Sequence, residues 1–376
     1  MFKYRRRLMT KIPAWLRRVA IVALVSASVT VMVVAADPAF APSGGPTRTA
    51  ATTTTVPSTP GAPKGLITKG PSRSECLEPN FTDTGLRALE SAITSFDAKT
   101  DTSVSCISAY LTTAPTWTAW VHPWVTQAQY GYSSWVAQDP QSRQLVLQVD
   151  LIPNSLKNVS DPLSWEQSCA AGDFNSYATE LGTNLVAAGL ENSVLRLGAE
   201  MNGVWEADFI GTTTVEQHLW ATCFANEVTA LRKAPGGHFL IDWNPNACKK
   251  NIGYAKFYPG NAYVDILGLD LFDASCLFSR PVTFAQLASE QDGLAHFEAF
   301  ATAQGKPMSL PEWGLAPTPA GDDPGYIDGI GSTVASGDFA FETYFDANVI
   351  IRPYLPLGSR TPLSLAAFQK WFGHDS

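Results

Sequence analysis

Apolar and polar positions alternate regularly along most of the chain. Short apolar runs of strand length are separated by longer segments with helical periodicity, a pattern typical of parallel strand–helix units. The predicted strands cover 65–69, 104–111, 145–152, 194–199, 239–243, 264–271, 307–311 and 339–344. The predicted helices cover 84–97, 117–127, 175–188, 215–233, a short piece near Tyr254, 284–304, 324–335 and 363–371.

Eight strand–helix units predict a single α/β domain, a closed (β/α)8 TIM barrel, because eight parallel strands close around a filled interior. The main competitor is a doubly wound open sheet, which usually carries a GxGxxG turn after its first strand. The sequence contains neither that turn nor a P-loop signature. We therefore expect residues 65–376 to form one barrel-shaped domain.

The N-terminal part of the chain has a different character. Its first 18 residues carry seven basic and no acidic side chains, and an uncharged apolar run follows over 19–36. This is the layout of a secretory signal, so residues 1–41 are predicted to be a signal peptide, cleaved after residue 36 or 41. The run is also nearly long enough to remain as a membrane anchor. Residues 42–64, rich in Pro, Thr and Gly, predict a flexible linker.

Charge and cysteine usage agree with an exported protein. The net charge is −8, so the chain without its seven N-terminal basic residues carries −8 − 7 = −15. An acidic body of this kind disfavours nucleic acid as a partner and is compatible with neutral glycans. The six cysteines include no CxxC pair, which favours disulfides over zinc. We expect neighbours in the sequence to pair: Cys76 with Cys106, Cys169 with Cys223, and Cys248 with Cys276.

Candidate catalytic residues follow from the chemistry of glycosidic bonds. Their hydrolysis needs a carboxylic acid at the leaving oxygen and a second carboxyl group on the other side of the sugar. In a barrel, such groups converge at the carboxyl ends of different strands. Glu200 ends an apolar strand in VLRLGAEMNGVW, and Glu312 ends another in KPMSLPEWGL. The five histidines form no metal-binding pattern and no GxSxG elbow occurs, so we expect no metal, no cofactor and no serine nucleophile.

Three segments resemble glycoside hydrolase family 26, the β-mannanase family of clan A. RLGAEMNGVW is similar to its acid/base motif, YPGNAYVDILGLDLFD to its sixth-strand segment, and KPMSLPEWG to its nucleophile segment. The resemblance implies a retaining mechanism in which Glu200 is the acid/base and Glu312 the nucleophile. It also implies that Arg196 supports the site. We expect Arg196 to face the same side of the strand as Glu200 and to hold a carboxylate ionised.

The chain departs from the family at two positions beside these residues. Ala199 stands where the mannanases usually carry His, and Phe272 stands where they usually carry Tyr. Asp270 or Asp273 is a candidate for part of the lost polar role. The retaining chemistry is expected to remain, whereas the sugar held at the reaction centre is expected to differ.

The remaining candidate contacts with sugar are rim residues that can donate, accept or stack. They are Asp150, Asn202, Trp205, Trp243, Asn244, Asp270, Trp313 and Tyr344. The combined prediction is a secreted or cell-envelope-associated monomer that hydrolyses a β-linked polysaccharide, a mannan or another cell-wall glycan, by endo action. Loss of hydrolysis in Glu312→Ala would test it. The alternative is a catalytically silent carbohydrate-binding protein of the cell envelope on the same barrel.

Overall fold

The computed structural model describes residues 74–79, 85–109, 114–122, 131–158, 160–247, 253–273, 282–316, 321–346, 348–349, 352–353 and 355–374. The predicted signal peptide and linker therefore lie outside the described residues. Within the described part, no helix is both long and apolar enough to cross a bilayer.

The core is a closed barrel of eight parallel strands, as predicted. Neighbouring strands pair in chain order around the barrel, and the last main strand pairs with the first. The barrel strands are β1 (Ser74–Glu78), β2 (Ser103–Ala109), β3 (Gln144–Val149), β4 (Val194–Leu197), β5 (Leu240–Trp243), β6 (Ile266–Gly268), β8 (Met308–Gly314) and β9 (Phe339–Phe345). A two-residue strand, β7 (Leu271–Phe272), continues from β6 and also pairs with β8. A small hairpin follows, formed by β10 (Asn348–Val349) and β11 (Arg352–Pro353).

Helices and short 3-10 turns surround the strands. The helices are α1 (Leu86–Thr100), α2 (Trp117–Trp120), α3 (Tyr132–Gln138), α4 (Leu163–Ala170), α5 (Asn175–Ala187), α6 (Thr214–Leu231), α7 (Phe284–Ser289), α8 (Leu294–Gln304), α9 (Pro324–Ser336) and α10 (Pro362–Phe372). The 3-10 turns are Asn154–Leu156 and Tyr254–Lys256. The helix predicted over 284–304 is two helices, because Asp292 takes a left-handed conformation with φ 63° just before Gly293.

The first barrel strand was predicted in the wrong place. It is Ser74–Glu78, whereas the predicted strand, 65–69, lies outside the described residues. The sequence SECLE contains two acids and a cysteine, so its apolar content is too low to mark a strand by composition. Cys76, Leu77 and Glu78 are nevertheless buried, because the strand pairs with β2 on one side and β9 on the other. Helices α3 and α4 were not predicted.

Two of the three expected disulfides are present among the described residues. Cys76–Cys106 joins β1 to β2, and Cys169–Cys223 joins α4 to α6. The predicted partners Cys248 and Cys276 lie outside the described residues, so their pairing stays a prediction. Each observed bridge therefore links neighbouring elements of the barrel, as expected from the order of the cysteines.

The barrel interior changes from apolar to polar toward the carboxyl ends of the strands. One layer is apolar and contains Cys76, Cys106, Val146, Val194, Leu240, Ile266, Ala340 and Phe341. Two residues further along their strands, Glu78, Ser108, Gln148, Arg196, Asp242 and Thr343 are all buried and polar. Because side chains alternate along a strand, these polar groups also point inward. They form the floor beneath the mouth of the barrel.

A bulge in β8 places an extra residue at this mouth. Leu310 pairs with Glu342, but the next pair is Trp313 with Tyr344, so Pro311 and Glu312 together lie opposite the single residue Thr343. A bulge of this type re-aims side chains that strict alternation would send to the other face. Glu312 consequently faces the barrel mouth. Its neighbour Pro311 also points inward, close to Gly268.

Candidate active site

Arg196 is the central cation of the barrel mouth. It lies on β4, is fully buried, and donates from Nη1 to Oε1 of Glu312 and from Nη2 to Oδ2 of Asp270, both at 2.7 Å. Its Nε and Nη2 also donate to Oδ1 of Asn244, at 2.9 and 2.7 Å. A planar guanidinium can hold several acceptors in one plane, which a lysine cannot. Arg196 therefore fixes residues from β4, β5, β6 and β8 relative to one another.

Glu200 sits in a turn beyond β4 rather than on the strand. The strand ends at Leu197, and both Gly198 and Glu200 have left-handed backbones, with φ 59° and 52°. A left-handed conformation is unusual for a residue with a side chain and is often found at functional sites. The turn is held by hydrogen bonds from Gly198 N to Val149 O and from Glu200 N to Asn244 O, both 2.7 Å. Arg196 and Glu200 are therefore not related by the strand periodicity that was expected, and the carboxylates that Arg196 binds are those of Glu312 and Asp270.

The carboxyl group of Glu200 has two hydrogen-bond donors. Asn246 Nδ2 donates to its Oε1, and Trp205 Nε1 donates to its Oε2 at 2.5 Å. Burial raises the pKa of Glu200 to about 7, and the negative charge of Glu312 adds to the rise, while the two hydrogen bonds and Arg196 oppose it. A carboxyl group with such a pKa retains its proton in a substantial fraction of molecules near neutral pH.

The two predicted catalytic carboxyl groups lie close together. One oxygen of each of Glu200, Asp270 and Glu312 falls within 4.8 Å of the others. Glu312 is 6% exposed, while Glu200 is half-buried, so both reach the mouth of the barrel. Such closeness is characteristic of retaining glycosidases, whose carboxyl groups lie about 5 to 5.5 Å apart. A metal ion among these three carboxyl groups would compete with the guanidinium of Arg196, which already neutralises two of them.

Two residues of this site were missed by sequence analysis. Glu78, at the end of β1, is fully buried, and its pKa is raised by burial and then by the charge of Glu312. Asn246 follows β5 and bonds to Glu200, as described above. Glu78 was missed because its strand was placed elsewhere. Asn246 could have been found from WNPN at the end of an apolar strand, where Asn244 was selected instead.

The predicted amide residues have supporting roles. Asn244 is fully buried and accepts from Arg196 through its side-chain oxygen. Asn202 exchanges hydrogen bonds with the main chain of Asn246, donating from Nδ2 to Asn246 O at 2.7 Å and accepting from Asn246 N at 2.8 Å. Asn202 therefore positions the residue that contacts Glu200. Their predicted contacts with sugar stay predictions.

Three aromatic residues predicted to contact sugar are fully buried, so these predictions are wrong. Trp243 packs between the barrel and the helices against Tyr254, Phe257, Tyr258, Phe297 and Phe300. Trp313 packs against Tyr326, Tyr344, Phe368 and Phe372, and donates from Nε1 to Glu342. Tyr344 contacts Phe96 and Phe368 and donates to Leu355 O. Strand alternation turns all three side chains outward, toward the helices, and away from the mouth.

Trp205 is the aromatic residue that does border the site. Its side chain is 42% exposed, yet its Nε1 reaches Glu200. It is therefore available to stack on a sugar ring next to the acid group. Among the acids predicted to contact sugar, Asp270 is held by Arg196, and Asp150 is 6% exposed and belongs to a separate carboxylate cluster.

The two departures from the family change the surroundings of the acids. Ala199 is fully buried and has no polar side chain, and Phe272 packs edge-on against Phe345 with ring centroids 5.6 Å apart. Of the two acids considered as replacements, Asp270 contacts Arg196 in the site. Asp273 instead accepts from Ala316 N at 2.6 Å, which directs that oxygen toward the end of β8. Asp270 is thus better placed than Asp273 to replace the polar group that is missing at Phe272.

A parallel eight-stranded barrel with convergent carboxyl groups at its mouth suits a glycoside hydrolase, and the comparisons with known proteins support that class. Residues 133–309 match the model of glycosyl hydrolase family 26, which confirms the resemblance seen in the sequence. The matched region contains Arg196 and Glu200 but ends before Glu312. No curated protein sequence matches the chain.

Solved structures of family 26 mannanases share the fold at low sequence identity. The catalytic domain of Bacillus sp. JAMB-750 GH26 endo-β-1,4-mannanase is 18% identical, with a TM-score of 0.51 over 82% of this chain and 85% of that chain. Bacillus subtilis mannanase man26 is 15% identical, with a TM-score of 0.51 over 82% and 87%. A Bacteroides ovatus GH26 β-mannanase is 17% identical, with a TM-score of 0.50 over 71% and 78%. At these identities the likeness concerns the fold.

Proposed function

We propose that this glycoside hydrolase is a retaining, endo-acting enzyme on a β-linked polysaccharide of the mannan type or a related cell-wall glycan. The observation that carries the proposal is the pairing of a proton-retaining Glu200 with a Glu312 anchored by Arg196, with carboxyl oxygens within 4.8 Å. Retaining hydrolysis uses one carboxyl group as acid and another as nucleophile. The family match and the mannanase structures support a mannan-like substrate.

In the first step, Glu200 gives its proton to the glycosidic oxygen while Glu312 attacks the anomeric carbon. Arg196 binds Oε1 of Glu312 and leaves Oε2 for the attack, since no described residue donates to that oxygen. The carbon–oxygen bond to the leaving sugar breaks, and a covalent glycosyl–Glu312 ester forms. Arg196 thereby orients Glu312 before the reaction.

In the second step, Glu200 acts as a base. Having lost its proton, it accepts one from a water molecule, whose oxygen attacks the anomeric carbon and displaces Glu312. The sugar leaves with its original configuration, and Glu200 is protonated again. The half-buried position of Glu200 suits this exchange, because water reaches it beside the exposed ring of Trp205.

We also propose that the enzyme is exported and acts as a monomer. The two disulfides and the N-terminal basic and apolar segments support export, because disulfides persist in oxidising compartments. A carbohydrate-binding protein without turnover is less consistent with the site. Buried, closely spaced acids cost stability, and binding alone does not require them.

The substrate and mechanism are tested together with a panel of β-mannan, glucomannan, β-glucan and xylan. We expect soluble oligosaccharides from a β-linked polymer, and NMR should show that the first product keeps its anomeric configuration. Absence of hydrolysis on every polymer would refute the proposed activity. An initially inverted product would refute the retaining mechanism alone.

The role of Glu312 is tested by Glu312→Ala, with Glu227→Gln as the matched control. Glu227 is also fully buried, but it lies on α6 against the Cys169–Cys223 bridge. We expect Glu312→Ala to lose activity and to form an inverted glycosyl azide from an activated substrate when azide is added. Glu227→Gln should remain active. Activity of Glu312→Ala without azide would exclude Glu312 as the nucleophile.

A further inference from the structure

A second group of carboxylates lies beside the acid/base turn. It consists of Asp150, which follows β3, and Glu206 and Asp208, which lie between β4 and α6; we call it the rim cluster. One oxygen of each residue falls within 4.8 Å of the others, and their exposed fractions are 6%, 3% and 0%. Glu206 and Asp208 belong to the same loop as Glu200, and the catalytic mechanism does not use them.

The rim cluster contains buried oxygens without hydrogen-bond partners. Both oxygens of Asp150 and Oδ1 of Asp208 have none, whereas Oδ2 of Asp208 accepts from Leu151 N at 2.8 Å. The side chain of Gln148 is near enough to lower the pKa of Asp150, but it makes no hydrogen bond of ordinary geometry. A buried polar atom left without a partner costs about 1 to 3 kcal/mol, more for a charged group. The unpartnered oxygens of Asp150 therefore point to a missing ligand.

Among the described residues, no cation forms an ion pair with the rim cluster, although Lys157 is near enough for its charge to lower the pKa of Asp150 and of Asp208. Across the described part of the chain, no Lys or Arg nitrogen lies within 4.0 Å of these three carboxylates, and the amine of Lys157 donates to Trp205 O instead. This differs from the catalytic centre, where Arg196 lies between Asp270 and Glu312. Three neighbouring carboxylates must either hold protons or bind a cation from solution.

The spacing and donor atoms fit calcium. Ca²⁺ binds oxygen ligands at about 2.3–2.6 Å, so two oxygens on opposite sides of one ion are at most about 5 Å apart. The 4.8 Å limit of the rim cluster lies inside that distance. Carboxylate-only ligands favour hard cations such as Ca²⁺ over zinc or copper. Water molecules would complete the coordination.

We propose that Asp150, Glu206 and Asp208 bind Ca²⁺ and thereby tie the end of β3 to the loop that carries Glu200 and Trp205. The site stabilises a turn whose backbone is unfavourable at Glu200. The earlier expectation of no metal rested on the pattern of the histidines and on the catalytic chemistry. The ion proposed here is different, because carboxylates hold it and its role is structural. It does not depend on the sugar specificity or on the retaining mechanism.

Two tryptophans lie close enough to the rim cluster for luminescence to report ion binding there. Trp120 donates from Nε1 to Asp150 O at 2.7 Å, and Trp220 donates to Asp208 O at 2.8 Å. Tb³⁺ substitutes for Ca²⁺ and emits when a nearby tryptophan is excited. In the full-length protein stripped of divalent ions, we expect tryptophan-sensitised Tb³⁺ emission that Ca²⁺ displaces. Calorimetry should show one Ca²⁺ per chain, and Ca²⁺ should raise the melting temperature.

Single substitutions assign this binding to the rim cluster. Asp208→Asn and Glu206→Gln should each weaken Tb³⁺ and Ca²⁺ binding at least about tenfold, because each removes one charged ligand. Glu166→Gln is the matched control, since it also removes a fully buried carboxylate with unpartnered oxygens but lies outside the cluster on α4. Its binding should equal that of the wild type.

The wild type alone can overturn the proposal. Absence of Tb³⁺ emission and of Ca²⁺ heat at millimolar ion would exclude the site, and the carboxylates would then share protons. Glu312→Gln distinguishes the catalytic centre from the rim cluster. Binding that is lost in Glu312→Gln but kept in folded Asp208→Asn would place the ion at the catalytic centre and refute the assignment.

Discussion

Arg196 donates a hydrogen bond from Nη1 to Oε1 of Glu312 at 2.7 Å, with the guanidinium fully buried. The same guanidinium binds Asp270 through Nη2. Two carboxylates in a buried site would otherwise repel each other and take up protons. The electrostatics of the barrel mouth therefore depend on one side chain from β4, and its replacement should affect both activity and stability.

Arg196→Gln should lower kcat by at least about 100-fold, because Glu312 loses the donor that orients it. Leaving buried carboxylates without their cation should also destabilise the fold by about 3 to 5 kcal/mol. Arg196→Lys should fall between Arg196→Gln and the wild type, since lysine keeps the charge but not the planar set of donors. Steady-state kinetics and denaturant unfolding measure both effects. Wild-type kcat in Arg196→Gln would contradict this role.

The rate should depend on the protonation of Glu200. The acid form is needed in the first step, and burial together with Glu312 raises the pKa of Glu200 to about 7. We therefore expect kcat/KM to fall as pH rises through about 7, because the proton donor is then lost. In Glu200→Gln, assayed on an aryl glycoside whose leaving group needs no proton, this fall should disappear. Glu166→Gln should keep it, and an unchanged profile in Glu200→Gln would exclude Glu200 as the acid.

Gly198 should tolerate no side chain. Its φ is 59°, and a Cβ there would lie 2.7 Å from Trp220 Cζ2 and 3.0 Å from Asp208 Oδ2. Gly198→Ala should cost about 2 kcal/mol or more through combined backbone strain and overlap, and should reduce activity by displacing Glu200. Gly189→Ala is the control, because Gly189 has φ 74° but no heavy atom within 4 Å of its Cβ position. Equal unfolding free energies for the two variants would show that the overlap relaxes without cost.

Trp205 should act on both substrate binding and the pKa of Glu200. Trp205→Ala removes an exposed ring, so KM for a polysaccharide should rise severalfold. Both Trp205→Ala and Trp205→Phe remove the Nε1 donor that lowers the pKa of Glu200, so the alkaline fall in kcat/KM should move to higher pH in both. Trp205→Phe should retain more of the binding. A fall at the wild-type pH in both variants would show that the indole hydrogen bond has no influence on Glu200.

Much of the fold could be predicted because the periodicity of the strands and their order along the chain determine the barrel. Seven strands fell near their observed positions, and Glu200, Glu312 and Arg196 lie together at the barrel mouth, while their catalytic roles stay predictions. β1 was misplaced because burial on both sides of Ser74–Glu78 comes from its neighbours in the barrel, not from its own composition. Glu78, at the end of this strand, was therefore not predicted as a site residue. Such long-range pairing leaves no local signal in a single sequence.

The aromatic predictions failed for a related reason. Trp243, Trp313 and Tyr344 do lie at the carboxyl ends of strands, but position along a strand does not determine the face on which a side chain lies. That face depends on register, and in β8 the register changes between Leu310 and Trp313. Trp205 lies in a loop, where it is free of strand alternation, and it is the predicted ring that remained exposed.

The bulge in β8 also makes the position of Glu312 depend on the number of residues in that strand. Pro311 and Glu312 share the space opposite Thr343, and Trp313 then returns to the outer face. Deleting Pro311 would remove this bulge and keep Glu312 in the chain, while the second irregularity of the same strand pair, between Met308 and Ser309, would remain. The strand would still be a good barrel strand, but it would have room for only one inward side chain at the height of Thr343. Such a deletion keeps both Glu200 and Glu312 but changes the position of Glu312 at the barrel mouth. The barrel would still fold, whereas its two acids would no longer have the geometry that hydrolysis needs.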